Sequence, residues 1–147
     1  MEICESLLKS IVDLGEIEFS EQEIIDFAKI NDPLAFHTDV EVANNSRFNG
    51  LVCSGSQAFN FFYVNRWIPK YGNSVIAGLA VNNWNFLAPI YANDRVKANC
   101  TLESYKETKK EGEAVVKWGF NFNVDKKKVQ ELELTVLMSF DLVEDRI

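Results

Sequence analysis

Asp32 and His37 are the residues of this sequence best suited to proton chemistry. They stand five positions apart in "NDPLAFHTD" (Asn31–Asp39), and His37 is the only histidine in the chain. Imidazole gains and loses a proton near neutrality, which suits a group that moves protons during a reaction. A carboxylate beside it can fix its tautomer or share the activation of a water. Spacing alone leaves two readings open: an acid/base pair in an irregular loop, or a helix-terminating Asp followed by a surface His.

The second stretch is "CSGSQ" (Cys53–Gln57). A Ser-Gly-Ser entry to a helix leaves free amides at the positive end of the helix, where they can hold a developing oxyanion. Ordinary capping by Ser54 or Ser56 is the alternative. A GxSxG nucleophile elbow is absent, because Val52 stands where its first glycine would be. One His and three dispersed Cys do not supply a usual zinc ligand set, and the phosphate loops GxxxxGK and GxGxxG are absent. No metal or cofactor is expected.

The elements around these residues can be read from patterning. Leu7, Leu8, Ile11, Val12 and Leu14 recur at helical spacing up to Gly15, which predicts a short helix, and "EIEF" (Glu16–Phe19) predicts a brief strand. Ser20 and Glu23 form a capping box for a helix whose buried face is Ile24, Ile25, Phe27, Ala28 and Ile30. Pro33 ends it near Asn31, so the Asp32/His37 loop starts where a helix stops. Thr38 or Asp39 can cap a further short helix over "VEVANN", and Asn49–Gly50 marks a turn. From Gln57 to Trp67 apolar residues lie on almost every side, which predicts one long buried helix closed by Pro69 and Gly72. The rest alternates with period two. Ala114 through Val124 and Leu132 through Leu142 make a hairpin about "VDKKKV"; Val96 to Leu102 is an earlier strand, and "SVIAGLAVNNWNFLAPI" is another, stopped at Pro89. A sheet with one apolar face must bury it, and the apolar helix is the partner at hand. The expectation is an α+β domain, 1–147, with a curved antiparallel sheet wrapped around a long central helix.

Composition fits this. The chain has 147 residues, 47% of them hydrophobic and 25% charged, an ordinary balance for one soluble domain. A net charge of -7 argues against a broad nucleic-acid-binding surface. The N-terminus lacks the basic-then-apolar pattern of a signal peptide, and no apolar run approaches membrane-spanning length. Three scattered cysteines without a CxxC suggest a reducing compartment, so a cytoplasmic protein is expected. Lys126–Lys128 reads as a solvated hairpin tip, with docking of an acidic carrier as the alternative.

The run from Phe19 to Gln57 resembles the MaoC-like hydratase/dehydratase family, which has the hot-dog fold. Asp32, His37 and Asp39 occupy the acidic and histidine positions of that family's D-x-N-P-x-H-x-D motif. Ser46, Arg47, Phe48 and Gly50 match its S-R-F-G-G segment, and Gly55 matches the glycine opening the central helix. Phe86, Pro89 and Asp94 match a later F-x-x-P-V-x-x-G-D segment, and the resemblance runs to Leu142. Departures are Leu34 and Ala35 for the motif's Asn and Pro, Ser54 for a frequent His, Asn93 for a Gly, and Tyr63 where some members carry a small hydroxyl.

The resemblance implies addition of water to trans-2-enoyl thioesters of coenzyme A or an acyl carrier protein, or the reverse. Asp32 and His37 would activate the water and the Gly55 amide would polarise the thioester carbonyl. Ser54, Phe59 and Tyr63 would contact substrate, with Phe62 a further tunnel candidate and Arg47 and Arg66 candidates for carrier phosphates. It also implies a homodimer, since a sheet edge needs a partner. Two other readings stay open: a non-catalytic acyl-binding module, and a hot-dog thioesterase. The latter is disfavoured because Gly55 to Tyr71 contains no carboxylate.

Overall fold

In the computed structural model, which describes residues 1–140, five strands form one antiparallel sheet in the order β1-β3-β4-β5-β2. The strands are β1 (Ile11–Glu18), β2 (Val75–Phe86), β3 (Arg95–Glu107), β4 (Glu113–Val124) and β5 (Lys127–Ser139). The alternating rows predicted from the sequence are the buried rows. Val96, Ala98, Cys100 and Leu102 on β3, Ala114 to Phe122 on β4, and Leu132 to Met138 on β5 all face the interior. Leu142 lies outside the described residues.

The central helix packs on that face. It begins as α5 (Gln57–Phe62), widens into a π-helical stretch (Tyr63–Trp67), and resumes as α6 (Ile68–Tyr71). Phe59 and Trp67 meet Phe120 and Trp118 of β4 edge-on, and Phe62 sits 5.9 Å from Phe122. Pro69 does not end the helix as predicted. It has no N–H for the Asn65 carbonyl and its ring crowds that group, so the preceding turn widens and the chain continues. Termination falls to the 3₁₀ turn at Gly72–Ser74. The helix is also less buried than its sequence suggests. Asn60, Val64, Asn65 and Arg66 are exposed, so one face is open on the single chain.

The N-terminal prediction is corrected. The helix there is α1 (Glu2–Leu7), and Ile11 onward is strand. Lys9, at φ 60°, turns the chain, and its N–H donates to the Leu102 carbonyl. Gly15, at φ 82°, sits in a bulge where the β1/β3 register shifts. The bulge splits the period-two row Val12–Leu14 from Ile17–Phe19, which is why the alternation reads as helical spacing.

Between β1 and the central helix lie α2 (Glu21–Asn31), α3 (Ala35–Thr38) and α4 (Val40–Asn44). The Ser20/Glu23 capping box forms, with Ser20 Oγ accepting from the Glu23 amide at 3.1 Å. The α2 core face is narrower than predicted: Ile24 and Ala28 are buried, but Ile30 is 85% exposed. Asp39 caps α4 by accepting from the Val42 amide. These short helices form the overhang that carries the candidate site.

Candidate active site

Asp32 is the residue at which α2 stops. Its amide closes the last turn on the Ala28 carbonyl, and Pro33 then turns the chain away. One turn of α3 returns it, so that His37 faces back across the loop. His37 Nε2 lies 3.4 Å from Asp32 Oδ2. The other ring nitrogen, Nδ1, is 2.7 Å from the Val52 carbonyl oxygen. A carbonyl only accepts, so Nδ1 carries a proton and Nε2 is the atom free to exchange one with Asp32 or a bound water. Val52 is held in turn by its bridge to Tyr91, and the next amide, Cys53, donates to the Ile90 carbonyl.

The pair differs in exposure. The His37 side chain is 7% exposed and that of Asp32 is 35% exposed, so the imidazole is walled in while the carboxylate keeps partial contact with solvent. Phe36 lies against the imidazole at 4.4 Å between ring centres, and Phe48 backs Phe36. Ser54, expected to meet substrate, is buried; its hydroxyl donates to Asp32 Oδ2 at 2.9 Å. Asp32 Oδ2 is thus approached by both Ser54 and His37.

Gly55 stands at the entry to α5. Among the described residues its N–H has no hydrogen-bond acceptor. A Cβ here would lie 2.7 Å from the Phe86 ring, so only glycine permits this close approach. His37, Gly55, Phe48 and Phe86 share the wall of one cavity of about 420 Å³, completed mainly by Val52, Cys53, Leu87 to Ile90 and Gln130. Burial pushes the Cys53 thiol up to about 12, which keeps it protonated and a poor nucleophile at neutral pH.

Of the residues predicted to bind substrate, Phe59 and Tyr63 stand apart from this wall. Phe59 stacks on Tyr63, Tyr63 on Trp67, and Phe59 also meets Trp84 and Phe120. Phe62 is fully buried in the core. Arg66 lies over the Phe61 ring at 5.8 Å, and Arg47 is exposed beside Phe48. Among the described residues no group of three or more His, Cys, Asp or Glu is placed to hold a metal ion. Sequence reasoning missed the Val52 carbonyl as the tautomer-fixing group and Ser54 as a donor to Asp32. It also missed Gln130, a polar residue on an otherwise apolar strand row.

A curved antiparallel sheet around a central helix, with the Asp32–His37 loop bonded to the Val52–Ser54 segment that enters that helix, is the hot-dog fold. The chain belongs to the MaoC-like dehydratase domain family, whose sequence profile (described as MaoC like domain) matches residues 7–120. It is 29% identical over 140 residues to the uncharacterized protein YdeM of Bacillus subtilis (strain 168), covering 94% of this chain and 99% of that one. Among solved structures it is similar to a MaoC-like dehydratase from Rhodospirillum rubrum (TM-score 0.79, 23% identity, 92% and 94% of the two chains). It is likewise similar to an (R)-hydratase from A. caviae involved in PHA biosynthesis (TM-score 0.71, 19% identity, 88% and 94%). At these identities the two structures establish the fold.

Proposed function

We propose that the protein is a hydro-lyase that hydrates trans-2-enoyl thioesters, or dehydrates 3-hydroxyacyl thioesters, carried on coenzyme A or an acyl carrier protein. The observation that carries this reading is the Asp32–His37 contact of 3.4 Å at a cavity whose wall also contains Gly55. Water is held between Asp32 and His37 Nε2. The pair takes a proton from the water as the water oxygen bonds to C3, and passes that proton to C2, so that H and OH add across the double bond and the pair is regenerated. The Gly55 N–H donates to the thioester oxygen as negative charge develops there, which is what makes C3 electrophilic.

The thioesterase reading lacks a carboxylate on the central helix to do its work. Two further expectations belong to the proposal. A homodimer would cover the exposed apolar side chains of the edge strand β2, among them Leu79 and Val81. Three free, buried thiols suit the reducing cytoplasm as the place of action. The test is the fall in enoyl-thioester absorbance when pure protein meets crotonyl-CoA, longer 2-enoyl-CoAs and their carrier-protein counterparts. Turnover of at least one is expected. No turnover across all of them would favour an acyl-binding module.

A further inference from the structure

Gln130 is the one polar side chain on the inward row of β5 that runs through Leu132, Leu134, Val136 and Met138, and it is 4% exposed. An amide in that position destabilises the fold unless its hydrogen bonds are made. One is made: Trp84 Nε1 donates to Gln130 Oε1 at 3.4 Å. An indole N–H can only donate, so it fixes which end of the amide is oxygen. The NH₂ end has no acceptor among the described residues, yet it is not sealed in the core either. Gln130 is also one of the residues lining the cavity that contains His37 and Gly55. Phe86, the cross-strand partner of Gln130, carries the ring that lies against Gly55.

With its oxygen held by Trp84, the Gln130 amide brings two N–H donors that have no partner among the described residues to the wall shared with His37 and Gly55. The rest of that wall is largely apolar, with Phe48, Val52, Phe86 and Ile90, and among the described residues it contains no Lys or Arg. An ionised carboxylate placed there would lose its hydration without gaining a counter-charge, on a protein whose net charge is already -7. An uncharged oxygen satisfies the donors without that penalty.

We propose that Gln130 is a specificity-determining residue that selects 2-enoyl thioesters whose acyl group bears an uncharged oxygen, hydroxyl or keto, beyond C3. This rests on the hydratase reading above. Trp84 is the positioning residue, because it holds the amide with its nitrogen toward the cavity.

The experiment compares kcat/KM for crotonyl-CoA, for 2-enoyl-CoAs with a hydroxyl on C4 or C5, and for the monothioester of fumarate. The wild type is expected to favour one hydroxylated substrate over crotonyl-CoA by about tenfold to a hundredfold, mostly through KM, and to disfavour the fumaryl thioester. Gln130→Met, close in shape, should bring the hydroxylated-to-crotonyl ratio to about one. Trp84→Phe, which frees the amide to turn, should reduce the same ratio in part and leave the dissociation of a saturated acyl-CoA unchanged. Turnover with a ratio that neither substitution alters overturns the assignment to Gln130. Preference for the fumaryl thioester overturns the uncharged-oxygen class. Absence of turnover on every substrate overturns the hydratase reading, and this proposal with it.

Discussion

A lone histidine can serve as a directed base only when something fixes its protons, and for His37, the proposed base, that is the Val52 carbonyl 2.7 Å from Nδ1. The residue types of the pair were legible in "NDPLAFHTD", as was its position after a capped helix. The tautomer was not, because it depends on a main-chain carbonyl fifteen residues away, set by a bridge between Val52 and Tyr91. Ser54 teaches the same lesson. Its place before Gly55 suggested substrate contact, but the fold aims its hydroxyl at Asp32 Oδ2, 2.9 Å away. A hydrogen bond to a carboxylate acts on the chemical step by holding that group in place, more than on binding. Ser54→Ala is therefore expected to lower kcat about tenfold and leave KM within about twofold, measured by steady-state hydration kinetics. A change confined to KM would return Ser54 to substrate contact.

At the scale of elements, helices announced by caps and strands announced by long alternation were readable. The β4/β5 pair forms as expected, and Ser20/Glu23 opens α2. Misreadings arose where one irregularity reset the period. The bulge at Gly15 disguised β1 as a helix, and Pro69 widened the central helix instead of ending it. The first is a tertiary outcome, because β1 follows its pairing with β3; the second is local, because Pro69 offers no N–H to the Asn65 carbonyl. The hairpin tip carries a testable irregularity of its own. Asp125 and Lys126 both have positive φ, 49° and 67°, as a type I′ turn requires, yet neither is glycine. Lys126→Gly removes a left-handed side-chain conflict and should stabilise the fold by about 1 kcal/mol in urea unfolding. A loss of stability would mean that the Lys126 side chain contributes contacts exceeding its backbone strain.

For the whole molecule, the sequence showed a central helix apolar nearly all round, and the single chain leaves part of it uncovered. Val64 and Ile68 on the helix, and Ile76, Leu79 and Val81 on β2, are all at least 38% exposed. An edge strand with that surface is a site for pairing, and a second copy of the chain is the proposed occupant. Sedimentation velocity should give twice the monomer mass for the wild type, and the monomer mass for Leu79→Lys combined with Val81→Lys. A monomeric wild type would contradict this. The buried thiols set a second global property. Burial pushes Cys4 up to about 11 and both Cys53 and Cys100 up to about 12, from an ordinary value of 9.0. The unfolded chain releases these protons first, so their contribution to stability is complete below about pH 9 and is lost as pH rises toward 12. Urea unfolding free energy should fall across that interval, and less steeply in Cys100→Ala; an equal slope in both proteins would exclude the Cys100 thiol as a source.

The central claim is that Asp32 and His37 act as one unit on one water. A double-mutant cycle on 2-enoyl-thioester hydration tests it most directly, using the most rapidly converted substrate, with circular dichroism confirming that each variant folds. Asp32→Asn and His37→Ala should each lower kcat/KM by roughly 10²–10⁴-fold, and the double variant should fall little further than either alone. Two folded single variants with near wild-type rates, or losses that simply multiply in the double variant, would contradict the claim.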